Sequence, residues 1–287
     1  MSTYFSGGTI WCSKGVTAQS LRIEDGKIVA INVPAEDSDE IVDLQGGFLA
    51  PSFMDGHAHP LFAGREAQGP LVNGITEVAK IIAEVKRFAD ENPDTEWIIG
   101  GAYEAAIIES GDFLAQWLDE VVSDRPVVLQ AVDHHTIWVN SKALEIAAIS
   151  AETADPIGGS IARNSDGSPR GTLREPSAMA LIMKHAPVRT LESDVAAISW
   201  ASQQYLSHGV TAATDAWVEQ GMAEAYIAAA KSGALSIDVN LFFLAQPSVW
   251  KDHIQYFSQL RREIEDLGKD SHLTARTIKF LCDGAFS

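Results

Sequence analysis

The chain has 287 residues, of which 46% are apolar and 21% charged, as in globular proteins with a large core and unlike disordered or fibrous proteins. With a formal net charge of -18 and no run of Lys and Arg, the sequence predicts no nucleic-acid partner and no membrane partner. Cys12 and Cys282 form no metal-spaced pair. The sequence has neither a signal-like start nor about 18 uninterrupted apolar residues, so we expect a soluble, cytoplasmic protein.

Residues 1–50 predict a small β unit, which we expect to form part of a β-sandwich. Short β-rich runs such as TIWCS and SLRIEDGKIVAI are separated by Asp-Gly and Gly-Gly turn signals. Asp25-Gly26, between LRIE and KIVAI, is typical of a two-residue hairpin loop. Gly46-Gly47 marks the exit into the next element.

Residues 51–287 predict a second domain of α/β class. Apolar strand candidates recur along it: FLAPSFM, WIIGG, PVVLQAV, GVTAATDA, SIDVNLFFLA and TIKFLCDG. Helical spacing of apolar residues predicts helices over 76–89, 194–207, 223–231 and 250–267. Strands that alternate with helices and show little polar alternation indicate a parallel sheet covered on both faces.

The region from about 64 to 190 departs from a simple strand-helix repeat. It contains ADPIGGSIARNSDGSPRGTLREPS, a segment dense in Gly, Pro, Ser and Asp that predicts surface loops and turns. We interpret this region as a large insertion after the first strand of the second domain.

Two histidines, His57 and His59, follow the first of these strands in the segment FLAPSFMDGHAHP. Residues i and i+2 of a strand project to the same side with Cα atoms roughly 6.5 Å apart, so two imidazoles can converge on one cation. Barrels of α/β class place catalytic groups at the C-terminal ends of their strands. The pair therefore predicts a metal site, although the spacing alone is also compatible with coincidence.

Four segments, in order along the chain, resemble motifs of the amidohydrolase superfamily. PSFMDGHAHP resembles its Pro-Gly-Phe-Ile-Asp-x-His-x-His motif, and VDHHTIWVNSKALE, RGTLREPS and TIKFLCDG resemble segments of its YtcJ-like, or amidohydrolase 3, branch, which includes N-substituted formamide deformylases. Ser52 and His134 stand where these motifs have Gly. The resemblance implies the N-terminal half of a TIM-like (β/α)8 barrel, with strand four at TIKFLC.

The same resemblance implies roles for particular residues. His57 and His59 would bind a divalent metal, one or two ions with zinc expected, and Lys279 would be carboxylated and bridge the metals, with Glu175 as the competing carboxylate. An ordinary ion pair of Lys279 with Asp283 is the alternative. His135, Trp138 and Asn140 would line the substrate side, His135 with a catalytic role. Asp215 is left open between a partner of a metal ligand and a helix cap, and Asp55 is expected to be a partner or turn residue.

The implied reaction is hydrolysis of a non-peptide C–N bond in a small-molecule substrate, an amide or formamide, by metal-activated water. In the superfamily, two further histidines and an aspartate on later strands complete the site. We find no counterparts of them before Ser287, and expect the sequence to be truncated after strand four. A catalytically incomplete fragment and a non-hydrolytic metal-binding module are the alternatives. The oligomeric state stays open, a homo-oligomer included.

Overall fold

The structure, a computed structural model, describes residues 2–245 and 250–280. Its fold is mixed α/β, and the chain forms two compact units, Met1–Met54 and Asp55–Ser287. Cys282 and Asp283, which the sequence placed in or after strand four, lie outside the described residues.

The first unit contains two small sheets, ordered β5-β4-β1-β6 and β3-β2-β7. The predicted hairpin at Asp25-Gly26 is confirmed: Glu24 pairs with Lys27 in antiparallel register, and both loop residues have positive φ, 47° and 73°. Ile10, Ala18 and Leu21 form its buried core. The strands are β1 (Ser2–Ser6), β2 (Thr9–Ser13), β3 (Val16–Ala18), β4 (Leu21–Glu24), β5 (Lys27–Ile31), β6 (Asp39–Asp43) and β7 (Phe48–Leu49).

The predicted strand FLAPSFM is not continuous. Phe48–Leu49 (β7) pairs with β2, and a separate strand, β8, covers Phe53–Ala58. Pro51 lies between them, and proline cannot donate a backbone hydrogen bond to a sheet. The strand that leads to the histidines therefore starts later than predicted and includes His57.

In the second unit, a four-stranded sheet carries β8 at one edge. Its other strands are β14 (Val210–Val218), β15 (Asp238–Leu244) and β16 (Leu273–Lys279), in the order β16-β15-β14-β8. The pairs β14/β15 and β15/β16 are parallel, as the strand-helix alternation predicted. Val239, Leu241 and Phe243 of β15 join a large apolar cluster with the neighbouring helices.

The predicted insertion builds a sheet of its own, in the order β12-β13-β11-β10-β9. Its strands are β9 (Ile98–Tyr103), β10 (Val127–Ala131), β11 (Thr136–Val139), β12 (Ser160–Arg163) and β13 (Pro169–Arg174). The prediction of surface loops over 154–177 is wrong in part, because β12 and β13 form an antiparallel hairpin there. β12 is the edge strand of this sheet, and edge strands carry polar residues. The alternation of apolar residues that identifies a strand in a sequence is therefore weak in this hairpin.

Eight α-helices are present in the described part of the chain, and none is long and apolar enough to cross a membrane. The four predicted helices are observed with ends shifted by at most three residues. The helices are α1 (Pro60–Glu66), α2 (Val78–Glu91), α3 (Ala115–Asp119), α4 (Ser141–Ile146), α5 (Glu175–Met183), α6 (Leu191–Ser207), α7 (Met222–Ser232) and α8 (Trp250–Asp266).

Helix α1, which follows the histidine pair, packs closely on α6. A Cβ atom on Gly64 would lie 2.1 Å from the carbonyl oxygen of Ala197, so only glycine permits this approach. The contact brings Arg65 to Asp194, which receives two hydrogen bonds of 2.8 and 2.7 Å from the guanidinium.

Candidate functional site

The structure brings His57 and His59 together at the end of β8. Their ring centroids are 5.5 Å apart with the rings nearly perpendicular. His57 is exposed, and His59 is half-buried where the chain turns from β8 into α1. Both imidazoles are therefore accessible at one strand end, as the spacing predicted.

A carboxylate backed by a tyrosine lies beside each histidine. Asp55 accepts a hydrogen bond from the backbone N–H of His57 (3.1 Å) and one from the hydroxyl of Tyr205 (3.3 Å). Burial, together with the charge of Asp55, raises the pKa of Tyr205 to about 12, so the hydroxyl keeps its proton at neutral pH. Asp55 thus fixes the backbone of His57 within β8, and its expected role as a partner of a metal ligand stays a prediction.

Asp215, in the C-terminal half of β14, is fully buried, and its Oδ1 lies 3.6 Å from Nδ1 of His59. It accepts hydrogen bonds from the Tyr226 hydroxyl (2.7 Å) and from the backbone of Trp217 (3.1 Å). Burial and the nearby Asp215 raise the pKa of Tyr226 well above its usual value. The same hydroxyl accepts a hydrogen bond from the backbone N–H of Leu61 in α1. The network therefore connects the helix that follows His59 with the carboxylate that lies beside its ring.

A second group of polar residues lies on the insertion, between β10 and β11. His135 Nδ1 is 3.1 Å from a carboxylate oxygen of Glu175, and Glu175 donates its backbone N–H to the carbonyl of His135. Glu175 has φ 69° and His134 has φ 59°, conformations that residues other than glycine adopt rarely. His134, where the resembled motif has Gly, therefore occupies a left-handed position.

Two cavities meet at His135. One, of about 530 Å³, is lined by His59, Glu66, His134 and His135 among others, and brings the first histidine motif next to the second. The other, of about 870 Å³, is lined by His135 with Arg174 and Glu175. Burial lowers the pKa of His134, and the charge of His59 lowers it further.

Lys279 lies on a different strand from the histidine pair. It ends β16, at the opposite edge of the four-stranded sheet from β8, and its backbone carbonyl accepts from Ala245. Among the described residues, no hydrogen bond or ion pair joins Lys279 to His57 or His59. Its implied role as a metal bridge stays a prediction, and Glu175 contacts His135 rather than the pair.

The expected substrate contact of Trp138 does not fit this structure. Its side chain is fully buried, and its indole N–H donates to the carbonyl of Leu114 (2.9 Å). The ring packs against Phe113, Tyr103 and Trp117 at centroid distances of 4.8, 6.0 and 6.1 Å. Trp138 is therefore a core residue of the insertion, because the apolar strand β11 turns it inward.

Asn140 likewise has no capacity left for a substrate. Its side-chain oxygen accepts from the backbone N–H groups of Val127 and Ala143, and its amide donates to the carbonyls of Val122 and Arg125. It is fully buried and caps the N-terminus of α4. All these bonds are internal, so the predicted substrate contact is corrected to a structural role.

The donor set of the histidine pair fits part of a metal site. Two imidazoles converge, and Nδ1 of His59 is buried without a hydrogen-bond partner, next to the Asp215 carboxylate. A catalytic zinc site takes three protein ligands. Within residues 2–245 and 250–280, no group of three or more His, Cys, Asp or Glu side chains is arranged to hold a metal ion. The pair can thus supply two ligands.

Several residues at this site escaped prediction from the sequence. Tyr205 and Tyr226 lie on helices far along the chain from the histidine pair, whereas Glu66 ends α1, the helix that follows His59. No spacing in the sequence singles them out. For His134 a signal did exist, because a histidine where the motif has glycine predicts an unusual backbone conformation.

Comparison with known proteins agrees with this geometry. The chain is 30% identical over 231 residues to a putative amidohydrolase, YtcJ, of Bacillus subtilis, covering 76% of this chain and 41% of that protein. It is 28% identical over 233 residues to an N-substituted formamide deformylase of Arthrobacter pascens, covering 76% and 42%. The chain thus spans about two fifths of the length of these relatives.

A solved structure of an uncharacterized metal-dependent hydrolase from Pyrococcus horikoshii has a similar fold. It matches with a TM-score of 0.61 at 21% identity and covers 90% of this chain and 51% of that one. The model of the amidohydrolase family that is designated Amidohydro_3 matches residues 40–287, which include all four motifs. The chain therefore belongs to the amidohydrolase family.

Proposed function

We propose that this chain is part of a metal-dependent hydrolase that cleaves a non-peptide C–N bond, amide or formamide, in a small-molecule substrate. The observation that carries the proposal is the pairing of His57 with His59 at a strand end, with a buried carboxylate beside His59. The formamide deformylase among the relatives supports the bond type. Because the chain spans about two fifths of the length of those relatives, the activity is proposed for the whole protein.

We infer that the sheet β16-β15-β14-β8 is one part of a (β/α)8 barrel. Its two parallel strand pairs and the helices between its strands support this inference. Such barrels carry their active sites at the C-terminal ends of the strands. His57, Asp215 and Lys279 each lie at or near such an end.

His57 and His59 would hold the divalent metal, for which zinc is expected from an imidazole donor set. When bound, the metal would lower the pKa of a water molecule and polarise the carbonyl of the substrate. Asp215 lies 3.6 Å from Nδ1 of His59 and would orient its ring, and the Tyr226 hydroxyl donates a hydrogen bond to Asp215. Such partners of metal ligands raise ligand basicity and fix the ring.

His135 is suited to move a proton. The Glu175 carboxylate beside its Nδ1 favours the tautomer with the proton on that nitrogen, which leaves Nε2 as the acceptor. In hydrolysis, water adds to the carbonyl carbon, the C–N bond breaks, and the leaving nitrogen takes up a proton. His135 lines the same cavity as His59, which supports a role in this transfer.

The zinc content of the purified chain tests the proposal. We expect bound zinc in the wild type and its loss in the His57→Ala/His59→Ala variant, measured by elemental analysis after dialysis. A matched variant, His185→Ala/His208→Ala, removes two exposed histidines away from the site and should keep the metal. Equal zinc content in the wild type and the His57→Ala/His59→Ala variant would contradict the proposal and favour a chain without a formed site.

A further inference from the structure

The cavity beside His59 has walls of two kinds. Apolar side chains of Phe62, Ile99, Met183 and Trp217 line one part of it. Carboxylates, histidines, two arginines and a glutamine are among the polar residues that line the rest, so a ligand with an apolar body and a polar end matches the cavity. Its volume of about 530 Å³ is ample for a small ligand that carries an aromatic ring.

The charged groups of the cavity leave negative charge unpaired. Arg65 and Arg189 are its two guanidiniums, and both bind the buried carboxylate of Asp194. The three carboxylates of the lining are Glu66, Asp133 and Glu219. A cation is therefore the favoured occupant of the polar end.

Glu66 is the carboxylate with an open acceptor. Oε1 of Glu66 is buried and receives no hydrogen bond from any described residue; Nε2 of the His134 imidazole lies 3.7 Å away. By contrast, Asp133 accepts from the backbone of His135, and Glu219 accepts from the indole of Trp217. A buried acceptor without a donor is costly, and a ligand N–H would remove that cost.

His134 strengthens the assignment through its backbone. It holds φ 59° where glycine would fit without strain, and its ring lies 5.9 Å from Phe62 at the apolar wall. Conformations of this kind are strained for residues other than glycine and cluster at ligand sites. The strained position keeps the imidazole opposite Glu66, so the two side chains form the polar end of the cavity.

We propose that Glu66, assisted by His134, binds a cationic nitrogen group, an amidinium or ammonium, of a ligand whose apolar body lies against Phe62, Ile99 and Trp217. This proposal assigns a substrate class to the site. The statement that the ligand is a substrate rests on the proposed function. The binding itself needs no metal. The two proposals can therefore fail separately.

The test is calorimetric titration of the metal-free chain at neutral pH with three probes of one shape: benzamidine, benzamide and benzoate. Benzamidine should bind at least tenfold more tightly than the neutral and anionic probes. Glu66→Gln should weaken benzamidine about tenfold or more, since glutamine keeps an acceptor oxygen but loses the negative charge that strengthens a hydrogen bond from a cation. Glu152→Gln, which removes the same charge from an exposed loop, should leave the affinity unchanged.

Two further variants separate the proposals. His57→Ala, at a metal-binding histidine outside the lining of the cavity, should keep benzamidine binding even where it loses zinc. His134→Gly should weaken benzamidine severalfold without lowering the thermal midpoint, because glycine accepts the left-handed backbone. Unchanged binding in Glu66→Gln, or benzoate binding as tightly as benzamidine, would overturn the inference. So would the loss of zinc in Glu66→Gln, because Glu66 would then be a metal ligand.

Discussion

The histidine pair and the aromatic centre of the insertion use polar groups in opposite ways. The imidazoles of His57 and His59 are accessible. On the protein side, Asp55 accepts a hydrogen bond from the backbone of His57, and Asp215 lies beside the ring of His59. The side chains of Trp138 and Asn140 form their hydrogen bonds inside the fold, and both residues are fully buried. Accessible polar groups with unused capacity can bind a ligand, whereas saturated buried groups specify the fold.

The difference matters because both regions carry family motifs. Segment 132–145 contains His135, which lies at two cavities, and five residues later Asn140, which caps α4. A motif therefore fixes a position in the fold without fixing a role. The role follows from burial and from the partners of each side chain.

The largest expected effect comes from removing the buried Trp138 ring from the aromatic centre of the insertion. Trp138→Ala should lower the free energy of unfolding by about 3–5 kcal/mol, because a large buried ring is lost among Phe113, Tyr103 and Trp117. Urea denaturation followed by circular dichroism measures it. Trp200→Ala, with 37% of the residue exposed, is the control and should cost far less. A stable Trp138→Ala variant with weakened ligand binding would reverse our assignment.

The expected effect on the histidine pair is smaller and of another kind. Asp215→Asn keeps the shape but removes the charge beside His59, and should weaken zinc binding about 10- to 100-fold while the chain stays folded. Competition with a chromophoric chelator measures the affinity. Asp238→Asn, which removes an exposed carboxylate 2.7 Å from His272, is the matched control and should bind zinc as the wild type does. Equal affinities in both variants would place Asp215 in a purely structural role.

Much of this arrangement could be predicted from the sequence. Apolar runs predicted the parallel strands β14, β15 and β16, and Asp25-Gly26 predicted a hairpin, because these signals are local. The pairing of β12 with β13 could not be predicted, since an edge hairpin rich in polar residues resembles a loop. The role of Asn140 depends on carbonyl groups of Val122 and Arg125, which are distant in sequence.

The smallest expected effect is on the pH dependence of the free energy of unfolding. It distinguishes Asp194 of α6 from Asn140 of the insertion. Burial raises the pKa of Asp194, but the hydrogen bonds and charges of Arg65 and Arg189 outweigh it and hold the pKa below its ordinary 3.8. The folded state therefore favours the ionised form. The resulting stabilisation is fully present above the pKa of the unfolded chain and is lost as the pH falls through the lower pKa of the folded chain.

Asp194→Asn should thus lower the free energy of unfolding at pH 7 by about 1–2 kcal/mol, a moderate value for a carboxylate paired near the surface. The difference from the wild type should shrink as the pH falls below about 4, as urea titrations across that range would measure. Asn140 has no titratable group, so an Asn140→Ala variant should differ from the wild type by the same amount at both pH values. A difference for Asp194→Asn that does not change with pH would mean that packing of α1 on α6, rather than charge, holds the helix behind the histidines in place.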